Sequence, residues 1–519
     1  MSNKNEKLES ELSRLEGQME PPNPAEALLF LIPAETPHAA LSARLRPVWD
    51  ALAQEDEITA SLFIDNKLKE YFGFKKSDLR PFHKAYHKAR QMLEAVAEDS
   101  KKNQERTELL DRDINSPEAI AAISKIGIVD SSVFDLVVAT YIAAKLRTTP
   151  PIWLMLVGAP SSFKTELVRL IDLPEIYSLD TLTENAFASG YVKADGSEPE
   201  DLLPLLDGKC LVIKDLTTLF SLKEDTIKKI LGDLTSIFDG KFEKFTATRG
   251  DVRYYSQFSM ATCITPAILS KHHTYMHQLG GRFFFIRLPE LTPEMLEQGH
   301  VIAWDSTNRE ERINQARQIV STYCHQVSEK AAALYPNIQP ETVAIQTWIN
   351  TAADFIAHAR GTVVTKEVTF EKKNEDGKTE KVDYYEVSNP QIEQPWRILN
   401  QLRSLARVLA AMRGKTLVTA EELETLKAIT ISSMPIDRAV VVAELLKANY
   451  LFPREVGERI NKSAKTAGRY LKELTVLGLV VVEEAKDPNT GRDTKWYSLK
   501  PEYKEFLIGS KIQTEVTPF

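Results

Sequence analysis

Gly158-Ala-Pro-Ser-Ser-Phe-Lys-Thr165 brings together residue types that can hold a nucleoside triphosphate. Its spacing follows G-x-x-x-x-G-K-[ST] except at Phe163, where that pattern has glycine. In such a loop backbone N–H groups cradle the phosphates, the lysine reaches the β and γ oxygens, and the hydroxyl ligates Mg²⁺. Gly158, Ser161, Ser162, Phe163, Lys164 and Thr165 are therefore the candidate nucleotide-binding residues, with ATP and Mg²⁺ as the expected cofactors. A side chain at 163 restricts the loop and is expected to narrow the room beside the phosphates. An ordinary Pro-Ser turn accounts for the loop but not for a Lys-Thr pair at the start of a helix.

Later segments carry the other groups that phosphoryl chemistry needs. Lys209-Cys-Leu-Val-Ile-Lys-Asp215 is an apolar run ending in an acid, so Asp215 is the expected metal-side carboxylate beside Thr165. The competing reading is an Asp that caps the next helix. No glutamate follows Asp215, where many ATPases keep the water-activating base. Leu216 stands there, and Thr217 and Glu184 are the alternatives for positioning water. Phe258-Ser-Met-Ala-Thr-Cys-Ile-Thr265-Pro266 ends a second apolar run on a hydroxyl that can sense the γ-phosphate. Leu279-Gly-Gly-Arg282 sets an arginine at a glycine bend before a third, the place for an arginine finger supplied to a neighbouring subunit. Arg397, at the start of an amphipathic helix, is the candidate second sensor, while Arg403, Arg407 and Arg413 read as a solvated helix face.

These residues need strands and helices to position them. The chemistry-bearing segments alternate apolar runs with helical patterns over 150–290, as in a parallel α/β core. We expect a helical N-terminal region (1–115), the α/β core (116–360), a β-hairpin insertion and helical lid (361–435), a C-terminal winged helix-turn-helix (436–505) and a tail (506–519). The hairpin spans Thr362–Val387 and turns at Asp-Gly. In the C-terminal module the third helix carries Lys462, Lys465, Thr466, Arg469 and Lys472 with no acid before Glu473, a face suited to duplex DNA. Lys67–Arg80 reads as a helix, a glycine stop and a Ser-capped helix; helical packing is its plainer reading, DNA contact the alternative.

Composition excludes several classes. The 519 residues are 43% hydrophobic and 27% charged with net charge −8, so the chain is no basic nucleic-acid coat and any DNA contact must be local. Cys210, Cys263 and Cys324 lack metal-ligand spacing and read as reduced core residues. No run approaches 18 apolar residues and the N-terminus is polar, so we expect a cytoplasmic protein without membrane contact.

Over roughly residues 115–435 the order of these parts resembles an AAA+ ATPase. Gly281-Arg-Phe, Ile264-Thr-Pro and the lid with Arg397 and Val418-Thr-Ala-Glu-Glu422 look most like the minichromosome maintenance (MCM) group and the MCM-like helicases of phages and mobile elements. The resemblance implies a ring-forming DNA motor, a homo-oligomer with a hexamer among the sizes open to it. It also implies that the hairpin Lys241–Tyr255 points into a channel, where Lys244, Arg249 and Arg253 would track single-stranded DNA. A nucleotide-switched DNA-binding regulator or defence-system ATPase is the second reading, favoured by the missing glutamate.

Overall fold

Apolar runs flanked by turns become strands when both faces of a sheet are covered by helices. The structure, a computed structural model, describes residues 24–37, 41, 44–93, 112–190, 201–271, 280–289, 291–305, 307–373, 379–486 and 493–509. The chain divides into two compact units, Met1–Arg112 and Asp113–Phe519. Residues 1–23 and 94–111, the expected Asp-Gly turn of the 362–387 hairpin, residues 487–492 and the tail beyond 509 lie outside the described residues.

The larger unit is α/β. Its sheet is built from β1 (Trp153–Val157), β2 (Ile176–Leu179), β3 (Cys210–Ile213), β6 (Ser259–Ile264) and β7 (Phe283–Arg287); β4 (Lys241–Thr246) and β5 (Gly250–Tyr255) form a separate antiparallel hairpin. The five-stranded sheet has the order β2-β3-β6-β1-β7, with every pairing parallel. β1, β3 and β6 are buried at every position, as their unbroken apolar runs require. The core centres on Trp153, whose indole N–H donates to Phe258 O at 3.1 Å and whose ring lies 5.0 Å from Phe238 and 5.2 Å from Phe283. Each such fully buried apolar side chain contributes about 2 kcal/mol relative to exposure.

Because all five strands run the same way, their carboxyl ends share one edge. The loop 158–163, Asp215 and Thr265 follow β1, β3 and β6 at that edge. Helices Pro293–Trp304, Arg309–Leu334 and Val343–Arg360 follow β7, then the hairpin β8 (Thr365–Lys373)–β9 (Thr379–Val387), then helices Trp396–Met412 and Ala420–Ser432. The C-terminal part consists of helices Ile436–Leu446, Pro453–Arg459 and Ala464–Val476, the antiparallel pair β10 (Val480–Lys486)–β11 (Asp493–Leu499), and a closing helix Pro501–Ile508 that the sequence reading did not anticipate. Among the described residues no helix is long and apolar enough to cross a membrane.

Arg403 is exposed, as expected of a solvated face, whereas Arg407 and Arg413 are half-buried, and carboxylates engage all three. Arg403 Nη2 and Arg407 Nε hold the deeply buried Glu341 carboxylate at 2.8 and 2.7 Å, and Arg413 bridges Asp135 (2.8 Å) and Glu422 (3.1 Å). Carboxylates far away in sequence reach them, which a helical-wheel reading cannot register.

Candidate functional site

The loop after β1 departs from ordinary turn geometry. Ser161 and Phe163 both take left-handed backbone conformations, with φ of 62° and 64°. Phe163 thus adopts the conformation that the loop pattern normally gives to glycine, at a cost of about 1–2 kcal/mol. Its ring compensates by packing on Gly127: a Cβ built there would lie 2.2 Å from Phe163 Cδ2. The ring is seated against the segment between helices Ser116–Ser124 and Ser131–Lys145, and Phe163 and Gly127 both line the cleft over the loop. Gly158 is equally constrained, since a Cβ there would meet Ser162 Oγ at 2.6 Å and Leu288 Cδ1 at 2.9 Å.

Lys164 opens the helix Lys164–Arg169 and is 6% exposed. Its ammonium donates to Ala159 O at 2.9 Å, folding back over the loop. A buried ammonium is costly unless an anion faces it. Ser162 Oγ is also buried and has no hydrogen-bond partner in the structure. A buried lysine, a partnerless hydroxyl and the half-buried Thr165 form a donor set that fits a triphosphate with its Mg²⁺.

Cys263 ties the edge together. Burial pushes its thiol up to about 12, opposed by the charge of Lys164 and reinforced by Asp215 and Glu166, so all three charges lie close to it. Its backbone O accepts from Leu216 N–H at 2.8 Å, bringing the Asp215 segment against β6. Asp215 Oδ1 accepts from Thr217 N–H at 2.9 Å, although the N-cap position of the next helix is Leu216 and carries no side-chain cap. That bond uses one carboxylate oxygen, Oδ1, and a carboxylate has two. Thr217 Oγ1 is buried without a partner, whereas Glu184 is held outside by Lys229 at 2.7 Å. Glu184 is therefore corrected as a water-positioning residue. Thr265 is half-buried at the tip of β6, starting the helix Pro266–Lys271.

A cleft of ≈ 2050 Å³ opens over the loop. One wall is apolar and includes Ile126, Ile128 and Val129; the sequence reading passed over this segment because nothing in it is chemically distinctive. The lining also holds Arg287, Arg360, Arg438 and Arg469, with Glu393 3.9 Å from Arg360 and Glu473 3.6 and 3.9 Å from Arg438 and Arg469. Burial lowers the Arg287 guanidinium to about 10, and Arg287 pairs with Val157 at the mouth of the loop. Burial likewise lowers Arg360 to about 10, against the opposing pull of Glu393, and Arg360 Nε is buried without a partner. Glu393 and Glu473 offset part of this charge, and backbone oxygens engage the guanidinium groups too: Arg287 donates to Ser432 O at 2.6 Å and Arg360 to Phe283 O at 2.7 Å.

Thr165, Asp215 and Thr265 are not among the residues lining this cleft, and neither are Arg282 and Arg397, whose guanidinium carbons lie 5.7 and 5.8 Å from the Phe238 ring. Burial and then the neighbouring Arg397 charge lower Arg282. The two arginines thus lie together beside Phe238.

The expected DNA contacts divide. Arg249 turns inward to pair with Asp201, both nearly fully buried, and donates to Tyr254 Oη at 2.8 Å, so it offers no phosphate contact. Lys244 donates to Asn185 Oδ1 (3.3 Å) and Ala188 O (3.2 Å). Arg253 is exposed but faces Asp251 at 3.2 Å and Glu243 at 3.8 Å. The outward aromatic groups of the hairpin are Phe245 and Tyr255, 77% and 74% exposed. In the C-terminal part, Lys462 and Lys472 are exposed, while the Thr466 hydroxyl joins the Ser463 helix cap at 2.9 Å. Lys465 pairs with Glu367 of β8, and both Lys465 and Arg469 lie over Tyr385 of β9. The basic face expected to be free of acids is therefore covered over part of its length by the β8–β9 hairpin. No family model matches this chain, and no curated protein is detectably similar to it.

Proposed function

We propose that this chain is an ATP-driven DNA motor of the AAA+ type, a cytoplasmic, ring-forming replicative or initiator helicase of the kind used by phages and mobile elements. One observation carries the reading. A lysine-threonine loop, a strand-end aspartate and a strand-end threonine share one edge of a parallel sheet, with the threonine's strand between the other two. That order supports reading the Thr265 hydroxyl as the γ-phosphate sensor, since its strand lies between those that lead to Lys164 and Asp215.

Lys164 would exchange Ala159 O for the β and γ oxygens, and Thr165 with Asp215 would hold Mg²⁺, which when bound neutralises charge developing on the phosphates. The apolar wall at Ile126–Val129 suits the base, and Arg287 and Arg360 suit the phosphate tail. Arg282 and Arg397 are read as serving the nucleotide of a neighbouring subunit, since they cluster away from their own cleft. Winged-helix character of residues 436–505 is supported by three helices followed by an antiparallel pair, and Lys462 and Lys472 remain its exposed candidates for duplex contact.

A nucleotide-switched DNA-binding regulator is the second reading. The buried Leu216 in place of an acid and the bond that Asp215 accepts from Thr217 N–H favour it. Steady-state ATP hydrolysis with and without single-stranded DNA separates the two. Stimulated turnover supports the motor; tight ATP binding with negligible turnover in both arms supports the switch.

A further inference from the structure

Residues 67–93 hold eight Lys and Arg against two acids, in a chain whose net charge is −8. Helix Lys69–Phe72 ends at Gly73 (φ 66°), and the chain re-enters through the 3₁₀ turn Lys76–Leu79 into a helix covering 80–93. Gly73 is the stop that the sequence pattern implied. Ser77 is no cap: it lies inside the 3₁₀ turn, and Asp78 accepts from Lys75 N–H at 3.0 Å.

Helix 80–93 has two unlike faces. Phe82, Ala85, Tyr86 and Ala89 pack on the apolar core of the N-terminal unit. On the same side His83 meets Asp65 at 3.1 Å and Arg90 donates to Glu55 O. Arg80, Lys84, His87 and Lys88 recur at helical spacing on the other side, and all are exposed. Among the described residues none of Arg80, Lys84 and Lys88 makes an ion pair. Lys75 and Lys76, also exposed, extend the surface at the start of this helix.

We propose that this face docks on the phosphates of duplex DNA, with the helix 80–93 as the groove-facing member of a helix-turn-helix pair. From Arg80 to Lys88 the stripe is about 12 Å long at 1.5 Å per residue, which lies along several phosphates of one strand. An anionic membrane is the weaker partner. An interfacial helix needs an apolar face turned outward, and here that face is spent on the core, leaving Met92 and Leu93 as its exposed large apolar residues. This proposal uses residues other than those of the C-terminal and β4–β5 contacts and does not rest on the nucleotide reading.

The test uses the full chain and the variant Arg80→Gln/Lys84→Gln/Lys88→Gln, with fluorescence anisotropy on a mixed-sequence duplex across a salt series. Losing three phosphate contacts should weaken binding roughly tenfold or more at low salt and flatten the log–log salt slope by about 2.7. The thermal unfolding midpoint should stay at the parent value, because the three side chains are exposed and glutamine keeps the helix. Lys462→Gln/Lys472→Gln, measured alongside, probes the C-terminal face, so either surface can fail alone. Unchanged affinity and slope in the triple variant overturn the proposal. So does a parent chain that ignores the duplex, or one whose substitution-sensitive partner is a vesicle of anionic lipid.

Discussion

Phe163 and Gly127 act as a pair. A phenylalanine occupies the left-handed position of the loop 158–165 with its ring against a glycine, where a Cβ would clash. Gly127→Ala should therefore displace the ring, costing about 1–3 kcal/mol as overpacking and weakening ATP binding. Phe163→Gly should lower stability yet keep ATP binding, since glycine adopts that conformation freely. Thermal unfolding and nucleotide titration read both; a Gly127→Ala variant matching the parent in both would separate the pair. The thiols give a second residue-scale expectation. Burial raises Cys210 and Cys324, and holds Cys263 near 12, so all three stay protonated and shielded at pH 8. Reaction with a thiol reagent should be negligible in the native protein and complete after denaturation.

Among the elements, the helix Ala420–Ser432 rests on one buried carboxylate. Burial alone would raise Glu422, but Lys415, the Thr419 hydroxyl and N–H, and Arg413 hold it below its usual value. A carboxyl depressed in the folded state stabilises the fold fully above its unfolded pKa, and the contribution is lost as pH falls through the lower folded value. Glu422→Gln should cost about 3 kcal/mol at neutral pH and flatten the acid limb of the stability curve below about pH 4.5. Urea unfolding over a pH series measures it. Across the hairpin and the C-terminal helix, Glu367→Gln removes the acid that occupies Lys465. Duplex affinity should rise about two- to fivefold, in line with an exposed ion pair; an unchanged or lower affinity would mean that this face does not meet DNA.

These pairings also mark where sequence reading ends. The loop 158–165 and the sheet strands were legible because a short contiguous motif and unbroken apolar runs carry their own geometry. Arg249 with Asp201, Lys465 with Glu367 and Phe163 with Gly127 join residues far apart in the chain, and neither spacing nor local charge encodes such partners. Arg287 and Arg360 were missed for the same reason: only the fold turns them toward one cleft.

For the whole molecule the account makes two demands. If Arg282 and Arg397 complete a neighbour's site, Arg282→Ala should bind ATP but fail to hydrolyse it, and mixing it with Lys164→Ala subunits should restore part of the activity. Normal hydrolysis by Arg282→Ala alone would remove the shared-site ring. Beneath that lies the central claim, that the cleft over residues 158–165 holds ATP through the buried Lys164. Equilibrium titration of parent and Lys164→Ala with ATP and Mg²⁺ tests it most directly. The account predicts saturable binding by the parent and a loss of about 10- to 100-fold or more in the variant, the scale of a charged hydrogen bond removed from a buried anion. Equal affinities, or a parent that binds no ATP, would contradict it.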